Sequence, residues 1–186
     1  MLSAPLISIC WFVFLFYWIA NARFVKSAAE VQSVGSRLAN RIPVWIGIVL
    51  LFFVGRHRFG VAAAHHTPVT GPLGGAITVL GLGAAIWARR TLADNWSGNV
   101  VFKKDHKLIE QGPYRYVRHP IYTGILLMCV GTAIESGRPA AYGGVLFFLV
   151  GFWIKLRQEE KLMLRHFPQE YAAYKARVKA LVPFVI

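Results

Sequence analysis

Five apolar stretches separated by polar connections constrain this chain more than any other feature of its sequence. They are Ala4–Ala20, Ile42–Val54, Leu73–Ala88, Ile121–Ile134 and Ala140–Ile154. Apolar residues make up 56% of the 186 residues, more than a soluble domain of this size usually carries. A helix needs roughly 20 residues to cross the hydrocarbon core, and flanking uncharged and aromatic residues lengthen the shorter stretches. The sequence therefore predicts an all-α integral membrane protein with about five transmembrane helices.

The basic residues are distributed unevenly between the predicted connections. With the N-terminus outside, all but three of the 21 basic residues fall on the inner side, and the exceptions are Arg56, Arg58 and Arg138. The positive-inside rule and attraction to anionic lipid then explain the net charge of +13. Nucleic-acid binding would require a soluble basic face, which the sequence does not predict. We expect a multi-pass protein of a bacterial inner membrane, with no nucleic-acid partner.

The two halves of the chain differ in chemistry. Residues 1–88 contain the first three apolar stretches and are interpreted as a scaffold. Glycines in this half are expected to let helices approach closely, namely Gly71, Gly75, Gly81 and Gly83. Most of the unusual polar chemistry lies in residues 89–186. No internal repeat or long linker separates the halves, so the sequence predicts one membrane domain, residues 1–186, whose C-terminal half carries the function.

A dense polar motif lies directly before the fourth apolar stretch. It runs from Gly112 to Gly124 and contains three tyrosines, two arginines, a histidine and two prolines. A plain membrane anchor needs none of these groups. The polar segment that leads into the motif, Arg89–His119, is long for a connection, and long loops within compact domains are usually functional. Together they predict a site at the membrane surface.

Glu159 and Glu160 are the only adjacent acidic residues, and they follow the last apolar stretch as its helix continues out of the bilayer. Basic residues surround them, at Lys155, Arg157 and Lys161. A helical ion pair between Lys155 and Glu159 would explain the arrangement. The alternative is a site for a cation, such as a sulfonium.

An aromatic stripe follows the acidic pair. Apolar and aromatic side chains recur at helical spacing at Met163, Phe167, Tyr171, Tyr174 and Val178. Pro168 interrupts the stripe and is expected to end one helix near His166 and to begin another. Because a basic helix with an aromatic face beside a membrane normally lies on it, we expect that placement here.

In combination, these motifs resemble a known family. They are Asn95-Trp96-Ser97, His106-Lys107-Leu108-Ile109, Gly112-x-Tyr114, Arg118-His119-Pro120-x-Tyr122-x-Gly124, Glu159-Glu160 and Phe167-x-x-x-Tyr171-x-x-Tyr174. In this order they resemble the isoprenylcysteine carboxyl methyltransferase family and its relatives among the phospholipid methyltransferases. The resemblance covers about residues 90–184, whereas residues 1–88 resemble the family only in being membrane spans.

The resemblance implies a membrane-embedded methyltransferase that uses S-adenosylmethionine and releases S-adenosylhomocysteine. Its cofactor pocket would lie on the cytosolic side and be formed by the C-terminal half. The positions that fall on the family's cofactor contacts are Asn99, His106, Lys107, Leu108, Ile109, Tyr114, His119, Pro120, Ile121, Tyr122 and Glu159.

The resemblance also implies a basic residue near the end of the last span that orients the methyl acceptor. Lys155 aligns with it, and Arg157 follows two residues later. Lysine lacks the two-pronged geometry that arginine offers a carboxylate, so the acceptor stays open. An isoprenylcysteine-type carboxylate or related lipid entering from the bilayer needs no general base. A phospholipid amine or a small thiol would need one, for which Glu159, Glu160 and His119 are candidates.

Two other classes of function stay open. Sterol-reductase-type membrane proteins share a related C-terminal arrangement and bind NADPH, although the sequence has no dinucleotide-binding glycine pattern. A non-enzymatic membrane scaffold would leave the clustered polar residues unexplained. No metal site is predicted, because His65-His66 offers too few ligands and both Cys10 and Cys129 lie within apolar stretches.

Overall fold

Helices make up most of the computed structural model, which describes residues 3–21, 28–31, 34–55, 67–92, 101–103 and 108–185. The long helices are α1 (Ser3–Asn21), α2 (Val34–Phe52), α3 (Thr70–Leu92), α4 (Pro120–Ser136) and α5 (Pro139–His166). A 3-10 helix (Gly112–Arg115) precedes α4, and a short helix, α6 (Glu170–Arg177), follows α5. The predicted all-α membrane architecture is confirmed. One small feature was not predicted: strands β1 (Ala28–Val31) and β2 (Val101–Lys103) pair antiparallel.

Length and composition divide the long helices into two groups. Among the described residues, α1, α3 and α5 are long and apolar enough to cross a membrane. Helix α4 is apolar but shorter, with 17 residues. Helix α2 carries Arg37, Arg41 and Pro43 in its N-terminal half, which makes that half less apolar than the other spans. The membrane fold therefore stands, while the number of five spans remains a prediction.

Glycines allow α3 and α4 to pack with their backbones in contact. Gly74 and Gly81 of α3 face Gly131 and Gly124 of α4, respectively. A Cβ atom at Gly81 would lie 2.5 Å from the carbonyl oxygen of Gly124, so no larger residue fits without moving the helices apart. The expectation of close approach is thus confirmed for Gly81. It is wrong for Gly83, which faces open space.

The other glycines of the N-terminal half pack against different helices. Gly71 and Gly75 approach Ser3 and Leu6 of α1. Helix α2 packs on α5, where a Cβ atom at Gly144 would lie 2.9 Å from the carbonyl oxygen of Gly47. Helix α3 therefore packs on α4, and α2 packs on α5.

A tight turn at Gly137 joins α4 and α5 into an antiparallel hairpin. Gly137 adopts the left-handed conformation, with φ of 61°, and its amide caps α4 by donating to the carbonyl of Ala133. Arg138 then donates to the carbonyl of Leu51 at 2.6 Å, which ties the turn to α2. Because the hairpin is antiparallel, the first turn of α4 lies beside the part of α5 around Glu159. The polar motif and the acidic pair meet there.

Candidate functional site

Glycine and proline shape the polar motif locally. Gly112 has φ of 60°, and a Cβ atom there would lie 2.9 Å from the hydroxyl of Thr91, so this position needs glycine for both its backbone and its space. The following 3-10 helix buries Pro113 and Tyr114. Pro120 then occupies the first turn of α4, where its missing amide costs no hydrogen bond. The motif is therefore a fixed turn between two helices rather than an open loop.

Tyr122 and Glu159 form the center of the site. The Tyr122 hydroxyl donates a hydrogen bond of 2.6 Å to Glu159 Oε1, although the two residues are 37 positions apart in the sequence. The Tyr122 ring stacks between His119 and Phe152, with centroid distances of 5.5 and 4.8 Å. The Glu159 side chain retains 24% of its exposed surface. A ring stack thus holds the phenol in place, and the phenol holds a carboxylate that a ligand can reach.

Glu160 has a different environment from its neighbour. The residue is only 2% exposed. Arg118 Nε and Nη2 donate to Glu160 Oε1 at 2.9 and 2.6 Å, and Lys175 Nζ donates to Oε2 at 2.7 Å. Both carboxylate oxygens are therefore occupied by cations of the protein, so Glu160 fixes the structure and is not available to a ligand.

His119 lies between the two carboxylates. Its Nδ1 is 3.6 Å from Glu159 Oε2, and its Nε2 is 3.4 Å from Glu160 Oε1. Within the described part of the chain, Nε2 is buried and makes no hydrogen bond of good geometry. The imidazole is therefore held between the two carboxylates, with Nδ1 on the side of the partly exposed Glu159.

The chain after α6 lies alongside the turn before α4. The amides of Arg118 and His119 donate to the carbonyls of Lys179 and Ala180 at 2.8 and 3.0 Å. The hydroxyl of Thr123 donates to the carbonyl of Leu181 at 2.7 Å. These bonds fix the backbone of Arg118 and His119, so the C-terminal segment is part of the site. Sequence patterns did not indicate this pairing.

Helix α6 packs its aromatic face against the protein. Tyr171 and Tyr174 are 4% and 2% exposed. The Tyr174 hydroxyl donates to the carbonyl of Tyr114 at 2.6 Å. Burial raises the pKa of Tyr174 well above its usual range, so the phenol remains a donor at physiological pH. The expectation that this aromatic face lies on the membrane is therefore wrong, because the polar motif covers it.

Comparison with known proteins places the chain in a family. A sequence profile described as phospholipid methyltransferase matches residues 69–170, more than half of the chain. The chain belongs to the phospholipid methyltransferase family. The profile begins at residue 69, so it includes α3, which the sequence resemblance had left in the scaffold.

Curated relatives agree with this placement. The chain is 33% identical over 116 residues to protein-S-isoprenylcysteine O-methyltransferase of Saccharomyces cerevisiae, covering 61% of this chain and 48% of the relative. It is 35% identical over 85 residues to a probable enzyme of the same name from Oryza sativa subsp. indica, covering 45% and 44%. The enzyme of that name from Mus musculus is 35% identical over 83 residues, covering 43% and 29%. The chain thus spans less than half the length of these relatives.

In this member of the phospholipid methyltransferase family, the structure brings together several of the residues predicted to form the site. His119, Tyr122 and Glu159 are in mutual contact, as described above. Ile121 is buried at the start of α4, and Ile109 packs against the core from the segment before the 3-10 helix. Of the remaining predicted positions, Leu108 is half-buried, whereas Asn99, His106 and Lys107 lie outside the residues whose side chains the structure describes.

The two basic residues predicted to orient an acceptor lie in different surroundings. Lys155 Nζ lies 5.5 Å from the center of the Tyr122 ring, beside the site. Arg157 is exposed, and its Cζ lies 5.3 Å from the ring of Trp153. Of the two, only Lys155 contacts one of the three central side chains. Arg157 is two residues further along α5, about half a turn, and faces another surface.

Proposed function

We propose that this protein is a membrane-embedded methyltransferase that moves a methyl group from S-adenosylmethionine to a lipophilic acceptor. The observation that carries the proposal is the Tyr122–Glu159 pair beside the His119 imidazole, in a chain of the phospholipid methyltransferase family. A partly exposed carboxylate beside an imidazole suits a ligand that carries both a positive charge and hydrogen-bonding groups. S-adenosylmethionine is such a ligand.

The fit of the cofactor rests on the chemistry of these groups. When bound, S-adenosylmethionine supplies a methyl group on a positively charged sulfur. Glu159 would hold the positive end of the cofactor, and the His119 imidazole would lie beside it, with Nδ1 towards Glu159. Tyr122 keeps Glu159 in its rotamer by a 2.6 Å hydrogen bond. The resemblance extends this proposed pocket to Leu108, Ile109 and Tyr114 and to the positions at Asn99, His106 and Lys107.

We propose that Lys155 orients the acceptor. Its ammonium lies over Tyr122, so it stands next to the proposed cofactor position and at the end of the apolar part of α5. An anionic head group held there would face the cofactor while its hydrocarbon tail remained in the bilayer. Alignment of this kind can contribute roughly 7–11 kcal/mol to catalysis. A carboxylate acceptor is neutralised as it reacts, so exclusion of water by the helices lowers the barrier further.

The proposed acceptor class is an isoprenylcysteine-type carboxylate or a related lipid acid. A phospholipid amine would instead need a proton acceptor, and Glu159 and His119 are the candidates within the site. We further propose that the site faces the cytoplasm of a bacterial inner membrane. The basic residues that follow the apolar part of α5 support this orientation by the positive-inside rule.

A labelling experiment tests this proposal. Purified protein would be incubated with methyl-labelled S-adenosylmethionine and a total membrane lipid extract. Transfer of label to a lipid that loses it in mild base indicates an ester, as a carboxylate acceptor requires. Label that is stable in mild base would indicate that the acceptor is an amine or a thiol instead. No transfer to any lipid, with binding of NADPH instead, would overturn it in favour of a reductase.

A further inference from the structure

An apolar groove runs along the α4–α5 hairpin, apart from the polar site. Its walls include Leu127 and Val130 of α4 and Leu149 and Trp153 of α5, and Leu181 closes it at the C-terminal segment. Its volume is about 520 Å³, within the usual range for small-molecule sites. None of the polar side chains of the proposed cofactor site lines it. The groove is therefore a second concave surface, and its chemistry suits a hydrocarbon chain.

Positive charge lies at one end of this groove. Trp153 lines the groove, and the exposed guanidinium of Arg157 lies 5.3 Å from its ring, one turn further along α5. Lys161 is exposed one turn beyond Arg157. The acidic residues between them face other partners: Glu159 accepts a hydrogen bond from Tyr122, and Glu160 is buried against Arg118 and Lys175.

We propose that this groove binds one anionic phospholipid of the surrounding bilayer. An acyl chain would lie between α4 and α5, and the phosphate would contact Arg157 and Lys161. Three observations favour this occupant: the lining is apolar, tryptophan marks the depth of the head groups, and the groove ends at a guanidinium. Arginine matches phosphate geometry with two parallel donors. This site goes beyond the proposed methyl transfer and does not depend on it.

A zwitterionic lipid or a second copy of the chain fits the same groove less well. The amine of a zwitterionic head group would bring a positive charge towards Arg157 and Lys161. A second copy packed over the groove would have to cover the exposed guanidinium with a carboxylate. The anionic phospholipid satisfies the charge and the apolar lining at once.

Native mass spectrometry of the detergent-purified full chain tests the proposal. The protein would be incubated with equal amounts of phosphatidylglycerol and phosphatidylcholine, without S-adenosylmethionine. We expect preferential retention of phosphatidylglycerol. Arg157→Gln should weaken this retention about fivefold, the loss expected for one basic residue at an anionic membrane surface. Because no cofactor is present, the result is independent of whether methyl transfer occurs.

Two further variants control for charge and for the groove. Arg165→Gln removes the same charge two turns further along α5 and should change retention less than about twofold, because it lies beyond reach of the groove. Val150→Trp, at a half-exposed residue that lines the groove, should reduce retention of both lipids without changing charge. Equal losses in Arg157→Gln and Arg165→Gln would overturn the proposal. So would equal retention of the two lipids, or a lipid-free dimer.

Discussion

Glu159 and Glu160 are neighbours in the sequence and lie on either side of His119, yet their carboxylates have two different environments. One residue along a helix rotates the side chain by about 100°, so the two carboxylates point in different directions. Glu159 lies in the partly exposed region with Tyr122 and His119. Glu160 is buried with Arg118 and Lys175 and carries no surface that a ligand can reach. The cluster around Glu160 therefore stabilises the fold, whereas the cluster around Glu159 can bind a ligand.

The largest expected effect is on stability, at Glu160. Glu160→Gln removes the charge that balances Arg118, whose side chain is 8% exposed, and Lys175. Leaving a buried cation without its partner typically costs about 3–5 kcal/mol. We expect a clear fall in the thermal unfolding midpoint of the detergent-purified protein. An unchanged midpoint would show that Glu160 does not hold the two cations in place. It would contradict the structural role that we assign to Glu160 and not to Glu159.

Glu159→Gln should lower the affinity for the cofactor and leave the stability of the protein nearly unchanged. It removes one charge from the accessible region and keeps the hydrogen bond acceptor for Tyr122. A charge-assisted interaction is worth about 1.5–3 kcal/mol, so affinity for S-adenosylmethionine should fall by roughly tenfold to a hundredfold. The unfolding midpoint should change little. Unaltered affinity in the folded variant would remove Glu159 from the proposed cofactor site.

Lys155→Ala should reduce turnover by about tenfold while affinity for S-adenosylmethionine changes little, because an orienting residue acts through alignment. Arg157→Ala is the matched comparison, since it removes the same charge from the same helix on the side of Trp153. We expect the larger loss of turnover at Lys155. If both variants turn over normally, the acceptor is held elsewhere.

The smallest expected effect is at Tyr174. Tyr174→Phe removes a hydrogen bond to the carbonyl of Tyr114 and leaves that carbonyl without this donor. The cost should be about 1 kcal/mol of stability. Thermal unfolding measures it, and the loss should stay well below that of Glu160→Gln. A loss as large as that of Glu160→Gln would mean that the α6 contact, rather than the buried ion cluster, dominates the stability of this region.

The sequence predicted the helices of the hairpin well because hydropathy directly reports contact with lipid. The stretch Ile121–Ile134 corresponds to α4, Pro120–Ser136, and α5 ends at His166 as expected, although Pro168 lies before α6 and not in its first turn. Sequence could not show which acidic neighbour is buried, since that depends on how α5 is rotated against α4. Such rotation is set by packing between distant segments.

The surface that contacts the aromatic face of α6 was predicted wrongly for a related reason. Periodicity shows that Tyr171 and Tyr174 share a helix face, but it does not show whether lipid or protein covers that face. The pairing of Arg118 with Lys179 is similarly hidden, because backbone hydrogen bonds between distant segments leave no side-chain pattern. The sequence predicted that a helix approaches closely at Gly81. Only the structure shows that the contact is with Gly124.

The central claim is that the region around Glu159, His119 and Tyr122 binds S-adenosylmethionine. Isothermal titration calorimetry of the detergent-purified protein with S-adenosylmethionine, and separately with NADPH, tests it most directly. The proposed site predicts saturable binding of S-adenosylmethionine and of its product, S-adenosylhomocysteine, and none of NADPH. Saturable binding of NADPH without binding of S-adenosylmethionine would contradict it.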